Sequence, residues 1–289
     1  MDEISRTTGI NPHIDAYEGF FEDKWKHSFL SLTRTSALRD PAFDLVRVWE
    51  GISNARQLPW LMVRCLDANS RRKLEECAAW DRRKIGIIRD KLISRLQKQG
   101  ETIRPMLQKK LGAALTDLDE EVGRLQKDVV EQTLEKQPST WEMLLKHETF
   151  HTSLWSLERM CYGGLYYSYE WYLTQCLRIK KGEPQHRWLR VPDCFKDFET
   201  AFGSRLTDAC IRDDEVQVAR VARNALVHNG GRITSELKGK QHSFLVVGEE
   251  IQVNANHTTG LYRKLRDCVT ELTQNAVTMP EFRQKADGE

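Results

Sequence analysis

The residues best suited to chemistry are Arg223, Asn224 and His228, which lie in one short segment of the chain. Arginine can neutralise charge that builds up on a phosphoryl group, and histidine can transfer protons near neutral pH. At about 100° per residue on a helix, these three residues and Arg220 fall on one half of the surface. The other half is apolar and carries Val218, Ala219, Val221, Ala222, Ala225 and Leu226. The spacing therefore predicts a polar site opposite the buried face of a helix, suited to acid–base chemistry on a phosphate.

The elements that position this segment are predicted to be helices, because apolar residues recur every three or four positions along nearly the whole chain. In the C-terminal half, an aromatic first helix ends near Gly182, a second carries Phe195 to Leu206, and a third runs from Asp213 to Gly230. The apolar spacing then changes to that of two short strands around Gly248-Glu249-Glu250, before a fourth helix. The sequence predicts four helices, with one β-hairpin between the third and the fourth.

Helix-start signals divide the rest of the chain. Asp40-Pro41 and Asn69-Ser70 are expected to start two N-terminal helices, and Ser139 with Glu142 has the spacing of a capping box. The predicted domains are a helical N-terminal region at 1–139, the four-helix unit at 140–280 and a tail at 281–289. Residues 71–110 have a net charge of +8 and residues 111–136 a net charge of −4. Such polarity is typical of the solvated faces of packed helices, with a basic surface for phosphates as the alternative.

The stretch Arg223-Asn224-Ala225-Leu226-Val227-His228 resembles the R-x4-6-H signature of HEPN domains, which often place a polar residue after the arginine. The surrounding layout is similar as well, since these domains carry the motif at the end of the third of four helices, sometimes followed by a hairpin. The resemblance covers residues 140–277, which is about half of the chain. It implies an all-α fold class in which a helical N-terminal region precedes a HEPN-like four-helix bundle, with a small β-hairpin between its third and fourth helices.

Many HEPN proteins are metal-independent ribonucleases of toxin–antitoxin, phage-defence or RNA-processing systems, and they act as dimers whose two motifs face each other across a cleft. The resemblance therefore implies an endoribonuclease or RNA-binding protein that works as a homodimer, with an antitoxin or regulatory protein as a further partner. In the cleaving version His228 acts as general acid or base, Arg223 neutralises phosphoryl charge, and Asn224 orients His228 or the phosphate. Other HEPN proteins only bind, so a non-catalytic module for a partner protein or a nucleotide is the alternative. The candidate substrate-binding residues are Arg220, Asn229 and Arg232.

A competing motif is His147-Glu148-Thr149-Phe150-His151, which matches H-E-x-x-H. On a helix it would place two imidazoles one turn apart for zinc, with the glutamate positioned to activate a water in a metalloprotease. The glycine and third histidine of the metzincin pattern are replaced by Leu154 and Leu157. Glu170, the best-spaced third ligand, would need a break in the helix at Gly163-Gly164. We therefore expect no bound zinc and no other cofactor.

The composition favours a cytoplasmic protein. The chain has no run of about eighteen apolar residues, and its first residues, MDEISRTTGINPH, are polar, so neither a membrane span nor a signal peptide is predicted. The seven cysteines are scattered without a C-x-x-C pair, which argues against a disulfide framework and a zinc ribbon. The net charge of +2 gives no global attraction to nucleic acid or membrane. Any surface that binds RNA must therefore be local.

Overall fold

The computed structural model describes residues 13–99, 105–136, 139–183 and 195–283. In these residues the protein is all-α, as the sequence predicts, with ten α-helices and one two-stranded antiparallel sheet. The helices are α1 (Asp23–Thr33), α2 (Arg39–Gln99), α3 (Pro105–Lys136), α4 (Thr140–Leu144), α5 (Glu148–Lys181), α6 (Phe195–Phe202), α7 (Ser204–Thr207), α8 (Asp214–His228), α9 (Ser235–Lys238) and α10 (Ala255–Ala276). The strands are β1 (Leu245–Val247) and β2 (Glu250–Gln252). Within the described residues, no helix combines the length and apolarity needed to cross a membrane.

The described residues form two compact units. The core unit contains the residues up to Trp60 and those from His147 onward, and the helix-pair unit is Leu61–Lys146. This division differs from the predicted domains at 1–139 and 140–280, because the first part of the chain packs with the C-terminal half. The boundary between the units lies inside α2, between Trp60 and Leu61 and next to Pro59. Proline has no main-chain N–H, so the helix lacks one hydrogen bond at this point.

A buried arginine joins the N-terminal residues to the C-terminal helices in the core unit. Arg56 on α2 is fully buried, and its Nε donates a hydrogen bond to Glu158 Oε1 on α5 at 3.1 Å. Its Nη1 donates to Thr259 Oγ1 on α10 at 2.8 Å, and its Nη2 donates to the carbonyl oxygen of Ala16. Glu158 Oε2 accepts a further hydrogen bond of 2.5 Å from Thr258. Because a buried charge is costly unless it is paired, this network fixes the N-terminal segment against α5 and α10.

The aromatic helix α5 packs against α8 and α10 in the core unit. Its apolar residues are predicted to be central or to lie at a subunit interface, and the structure buries four of its tyrosines, Tyr162, Tyr166, Tyr169 and Tyr172. Ser168 Oγ accepts a hydrogen bond of 2.8 Å from the Trp49 indole on α2. The helix ends at Lys181, where Gly182 takes a left-handed φ of 67° that favours glycine. This long helix thus provides a surface on which α8 and α10 pack within the core unit.

Two predicted helix starts have different outcomes. Asn69-Ser70 starts no helix, because α2 is continuous there and the Asn69 side chain accepts a hydrogen bond of 3.1 Å from Arg72 Nη2. Ser139 and Glu142 form the predicted capping box, with two reciprocal hydrogen bonds of 3.2 Å. The helix that they begin is only the short α4, and α5 starts separately at Glu148 after an extended residue, His147.

The predicted β-hairpin lies between α8 and α10. Leu245 pairs with Gln252 and Val247 with Glu250, and Gly248 takes a positive φ of 62° in the turn. The main-chain N–H of Ile251 donates a hydrogen bond of 2.9 Å to the carbonyl oxygen of Gly231. The hairpin is therefore tied to the loop that follows α8.

Candidate functional site

The helix that carries the Arg223–His228 segment is fixed at both ends. At its start, the Asp213 side chain accepts hydrogen bonds from the main-chain N–H groups of Glu215 and Val216, at 3.0 and 3.3 Å. At its end, the N–H of Gly231 donates to the Ala225 carbonyl oxygen at 2.9 Å, and Gly231 has a positive φ of 88°. The helix begins and ends as the sequence predicts, because both signals are local.

The predicted buried face of α8 is confirmed, with one exception. The buried residues are Val216, Ala219, Val221, Ala222, Ala225 and Leu226. Val218, which the helical wheel places with them, is only half-buried and lines a cavity. The polar residues Arg220, Arg223 and Asn224 are half-buried, and His228 is exposed.

Arg223 contacts Asn224 and an aromatic ring of α5. Its Nη1 donates a hydrogen bond of 2.9 Å to Asn224 Oδ1, and its guanidinium lies 5.8 Å from the centroid of the Tyr167 ring. Its Nε is buried and has no hydrogen-bond partner among the described residues. Asn224 therefore orients Arg223 in this structure rather than His228.

Arg220 and Arg223 also act electrostatically on Glu170 of α5. Burial raises the pKa of the Glu170 carboxyl, and the two arginines oppose that increase. Arg220 is itself held by neighbours, since its Nε donates to Gln217 Oε1 at 3.1 Å and its Nη2 pairs with Glu236. Arg220 is thus an ion-paired residue between α8 and α9, less available to a substrate than the sequence suggests.

His228 is the last residue of α8, and its imidazole has no hydrogen-bond partner within the part of the chain that the structure describes. The helix end beneath it is held by Arg159 of α5, whose Nη2 donates a hydrogen bond of 2.8 Å to the carbonyl oxygen of Leu226. The Arg159 guanidinium also stacks 4.1 Å from the centroid of the Trp155 ring. Burial lowers the pKa of Arg159, and Glu250 opposes the change. The imidazole is therefore accessible to solvent on a fixed helix end.

The side chains of Arg223 and His228 in one chain leave α8 in different directions. Five residues on a helix correspond to a rotation of about 140° and a rise of about 7.5 Å. Asn224 and Val227 lie on the surface between them. One copy of the motif therefore presents two separated groups rather than a closed site.

Two of the candidate substrate-binding residues share one depression. Asn229 and Arg232 line a shallow surface depression after the end of α8, together with Gly230, Ile233, Thr234 and Glu250. The structure thus places Asn229 and Arg232 next to each other, close in sequence to His228, and places Arg220 with α9 instead.

Exposed apolar side chains border the polar segment. Met160 and Tyr167 on α5 and Val227 on α8 are 67%, 45% and 57% exposed. Gly163 lies between the two α5 residues in sequence, and a Cβ there would lie 3.6 Å from Val227 Cγ2, so α5 and α8 approach each other closely at this point. We call Met160, Tyr167 and Val227 the apolar patch. It lies next to Arg223, which contacts Tyr167, and to His228, which follows Val227 in sequence.

The structure contains a cavity that the sequence does not reveal. It has a volume of about 690 Å³ and lies between the start of α8, the loop 239–244 and the start of α10. Phe244 is buried in its wall, with its ring centroid 4.9 Å from His257 and 5.6 Å from His242. His257 Nδ1 accepts a hydrogen bond of 3.2 Å from Asn254 N, and burial lowers the pKa of His257. Only the Asn254–His257 spacing, typical of a helix start, marks this region in the sequence.

The competing H-E-x-x-H motif is not arranged as on a helix. His147 precedes α5 in an extended conformation, with φ −98° and ψ 118°, and only His151 lies within the helix. α5 continues through Gly163-Gly164 to Lys181, so the break that would bring Glu170 to these histidines does not occur. Among the described residues, no group of three His, Cys, Asp or Glu side chains could hold a metal ion.

Comparisons of the chain with protein-family models, with curated proteins and with solved structures found no match. The functional argument therefore rests on the residues themselves.

Proposed function

We propose that the protein is a HEPN-type endoribonuclease or RNA-binding protein that works as a homodimer on RNA without a metal cofactor. The observation that carries the proposal is the position of the apolar patch beside Arg223 and His228. Large exposed apolar side chains next to polar residues are typical of surfaces that bind another protein. A second copy packed on this patch would bring its own Arg223 and His228 to the same cleft.

The separation of Arg223 and His228 within one chain supports a site shared by two copies. Around a two-fold axis, His228 of one copy can lie near Arg223 of the other, although the two groups of one chain point in different directions. The exposed apolar residues would then be covered, and four polar groups would line one cleft. The same contact thus removes apolar surface from water and completes the site.

The chemistry of such a site follows from the residue types. His228 of one copy takes the proton from a ribose 2′-hydroxyl, whose oxygen attacks the adjacent phosphorus. The bond to the leaving 5′-oxygen breaks, and that oxygen takes a proton from His228 of the other copy. Arg223, held by Asn224, neutralises the charge that builds up on the phosphoryl oxygens. The products carry a 2′,3′-cyclic phosphate and a 5′-hydroxyl.

The test is incubation of the full-length protein with single-stranded RNA in the presence of EDTA, with analysis of the product ends. Cleavage with 2′,3′-cyclic phosphate ends supports the nuclease. Binding of RNA without any cleavage supports the RNA-binding version of the proposal. Cleavage that requires an added divalent metal would contradict the mechanism.

A second candidate function is a non-catalytic module that binds a nucleotide. The cavity of about 690 Å³ favours it, since its aromatic and histidine wall could stack a base and Lys240 could pair with a phosphate, whereas Lys264 is ion-paired with Asp213 at 2.6 Å. Calorimetric titration with nucleoside monophosphates tests this candidate. Saturable binding that is lost on Phe244→Ala, in a protein that does not act on RNA, would favour it over the nuclease.

A further inference from the structure

Between Arg64 and Thr140 the helix-pair unit buries very little of its apolar surface, since its buried apolar side chains, Val63, Trp141 and Leu145, lie near the ends of the unit. No side chain that the structure describes between Arg64 and Thr140 is buried. The part of α2 beyond Leu61 packs against α3 in an antiparallel pair, with Arg89 Nη1 3.1 Å from Asp119 Oδ2. The residues along this seam are only half-buried, for example Ile85, Val122 and Gln126. Two helices that bury so little are only marginally stable alone.

Five of the unburied apolar residues lie on one side of this helix pair, whereas Trp80 and Ile87 of α2, which are 59% and 55% exposed, lie on another side. Ile88 and Leu92 on α2, and Leu118, Leu125 and Val129 on α3, are between 49% and 60% exposed. On the helical wheel of α2, Ile88 and Leu92 lie about 60–105° away from the side that contacts α3. The three residues of α3 lie at similar angles from the side that contacts α2, and in the same direction of rotation when each helix is viewed from its own N-terminus. In an antiparallel pair, equal senses of rotation place both sets on one side. We call these five residues the helix-pair face.

The two helices carry opposite charge. Arg71–Lys98 of α2 contains ten basic and four acidic residues, whereas Leu111–Lys136 of α3 contains three basic and seven acidic residues. A partner that covers the helix-pair face must therefore place acidic groups over α2 and basic groups over α3. A second copy of the same helix pair has both, in the required positions.

We propose that the helix-pair face binds the same face of a second copy, so that two helix pairs form an antiparallel four-helix bundle. The charges of the two helices favour one of the two possible orientations of the two-fold axis. A two-fold axis parallel to the helices places basic α2 of one copy over acidic α3 of the other, whereas an axis across the helices would place like charges together.

The size of the contact is sufficient for a stable complex. The paired segments are about 40 Å long and two helices about 20 Å wide, so each copy contributes about 800 Å², the area of a standard interface. The same axis also fixes the register. Rotation about this axis does not change the position of a residue along the helices. A residue of α2 in one copy therefore faces the residue of α3 at the same height in the other copy, and Ile88 lies opposite Leu118 of the second copy.

The test is cysteine cross-linking between full-length copies in a background in which Cys65, Cys77 and Cys194 are replaced by serine. One copy carries Ile88→Cys and the other, distinguished by a tag, carries Leu118→Cys. Oxidation is expected to link the mixture efficiently and to link Ile88→Cys with itself poorly. Asp90→Cys is the matched control, because it lies at the same height on the opposite face of the helix pair and should not link to Leu118→Cys.

Efficient linking of Ile88→Cys with itself would overturn the proposed axis, and absence of any mixed link would overturn the interface. The experiment is repeated with Val227→Glu in both copies, which disrupts the apolar patch. The proposal requires the mixed link to persist there, since the helix-pair face is independent of the nuclease proposal. Loss of the link in that background would show that the helix pairs do not associate by themselves.

Discussion

Arg159 Nη2 donates a hydrogen bond of 2.8 Å to the carbonyl oxygen of Leu226, two residues before His228. We therefore predict that Arg159→Gln loosens the end of α8 and lowers the free energy of unfolding by about 1–2 kcal/mol, because a hydrogen bond from a charged donor is lost at a partly exposed position. If the protein cleaves RNA, kcat should fall more than KM rises, since Arg159 positions His228 and need not touch the RNA. Arg263→Gln, an exposed arginine on α10, is the control.

Denaturant unfolding and steady-state kinetics together test this role. An Arg159→Gln protein that loses stability but keeps the wild-type kcat would show that the residue supports the fold alone. Arg159→Lys should restore part of the stability, because it keeps the charge but lacks the guanidinium geometry.

The second prediction concerns the buried pair that joins the two ends of the core unit. Glu158→Ala leaves Arg56 charged and buried without its carboxylate, and should lower the free energy of unfolding by about 3–5 kcal/mol. Lys26→Ala is the matched control, because Lys26 forms a 2.8 Å ion pair with Glu50 at the surface. That change should cost under about 1 kcal/mol. Equal effects of the two substitutions in urea unfolding would contradict the structural role of the Arg56 network.

This pair also shows why the division of the chain could not be predicted from its sequence. Arg56 and Glu158 are 102 positions apart, and helical periodicity contains no information about contacts over such distances. The start and end of α8 could be predicted, because Asp213 and Gly231 act within one or two turns of the chain. At Asn69 the local signal is misleading, because its side chain accepts a hydrogen bond from Arg72 within a continuous helix and does not begin a new one.

In the candidate site, too, the features that depend on local sequence could be predicted and those that depend on contacts between distant residues could not. The helical wheel correctly separates the buried alanines of α8 from its polar residues, since that pattern depends only on the helix. It does not reveal that Arg220 pairs with Glu236, or that Asn224 accepts a hydrogen bond from Arg223. The apolar patch could be predicted only in part: the helical wheel places Val227 among the polar residues of α8, whereas the exposure of Met160 and Tyr167 depends on how α5 and α8 meet.

The third prediction is a pH dependence of stability at Glu170. Burial raises the pKa of this carboxyl above its ordinary value of 4.5, although Arg223 and Arg220 oppose the increase. A carboxyl with a raised folded-state pKa stabilises the fold fully below its unfolded value, and that contribution is lost as pH rises through the folded pKa. Glu170→Gln does not ionise, so its stability relative to wild type should increase as pH is raised from 4.5 toward neutrality.

Urea unfolding of wild type and Glu170→Gln across this pH range measures the difference. In an Arg223→Ala background the effect should grow and extend to higher pH, because one of the two opposing arginines is gone. A difference between the two proteins that is independent of pH would mean that Glu170 is not perturbed by burial.

The fourth prediction concerns the apolar patch. Val227→Glu combined with Met160→Glu places charge on this surface and should prevent association of α5 and α8 between copies, with little change in the helical signal, since both side chains are exposed. RNA cleavage should fall with association if the site is shared. Val48→Glu, an exposed apolar residue of α2, is the control. Light scattering is done with Leu118→Glu in every protein, which removes association through the helix-pair face, and equal masses for all three proteins would then remove the argument for a composite site.

The most direct test of the proposed function is the rate of RNA cleavage by His228→Ala in the presence of EDTA, compared with wild type and with His147→Ala. His228 is exposed and has no hydrogen-bond partner among the described residues, so its truncation should cost less than about 0.5 kcal/mol of stability. Loss of the proton-transfer group should lower the rate about 100-fold to 10,000-fold. Arg223→Ala should lower it to a comparable extent, Asn224→Ala should be milder, and His147→Ala should cleave like wild type. A folded His228→Ala protein that cleaves RNA at the wild-type rate would contradict the assignment of His228 as the catalytic acid and base.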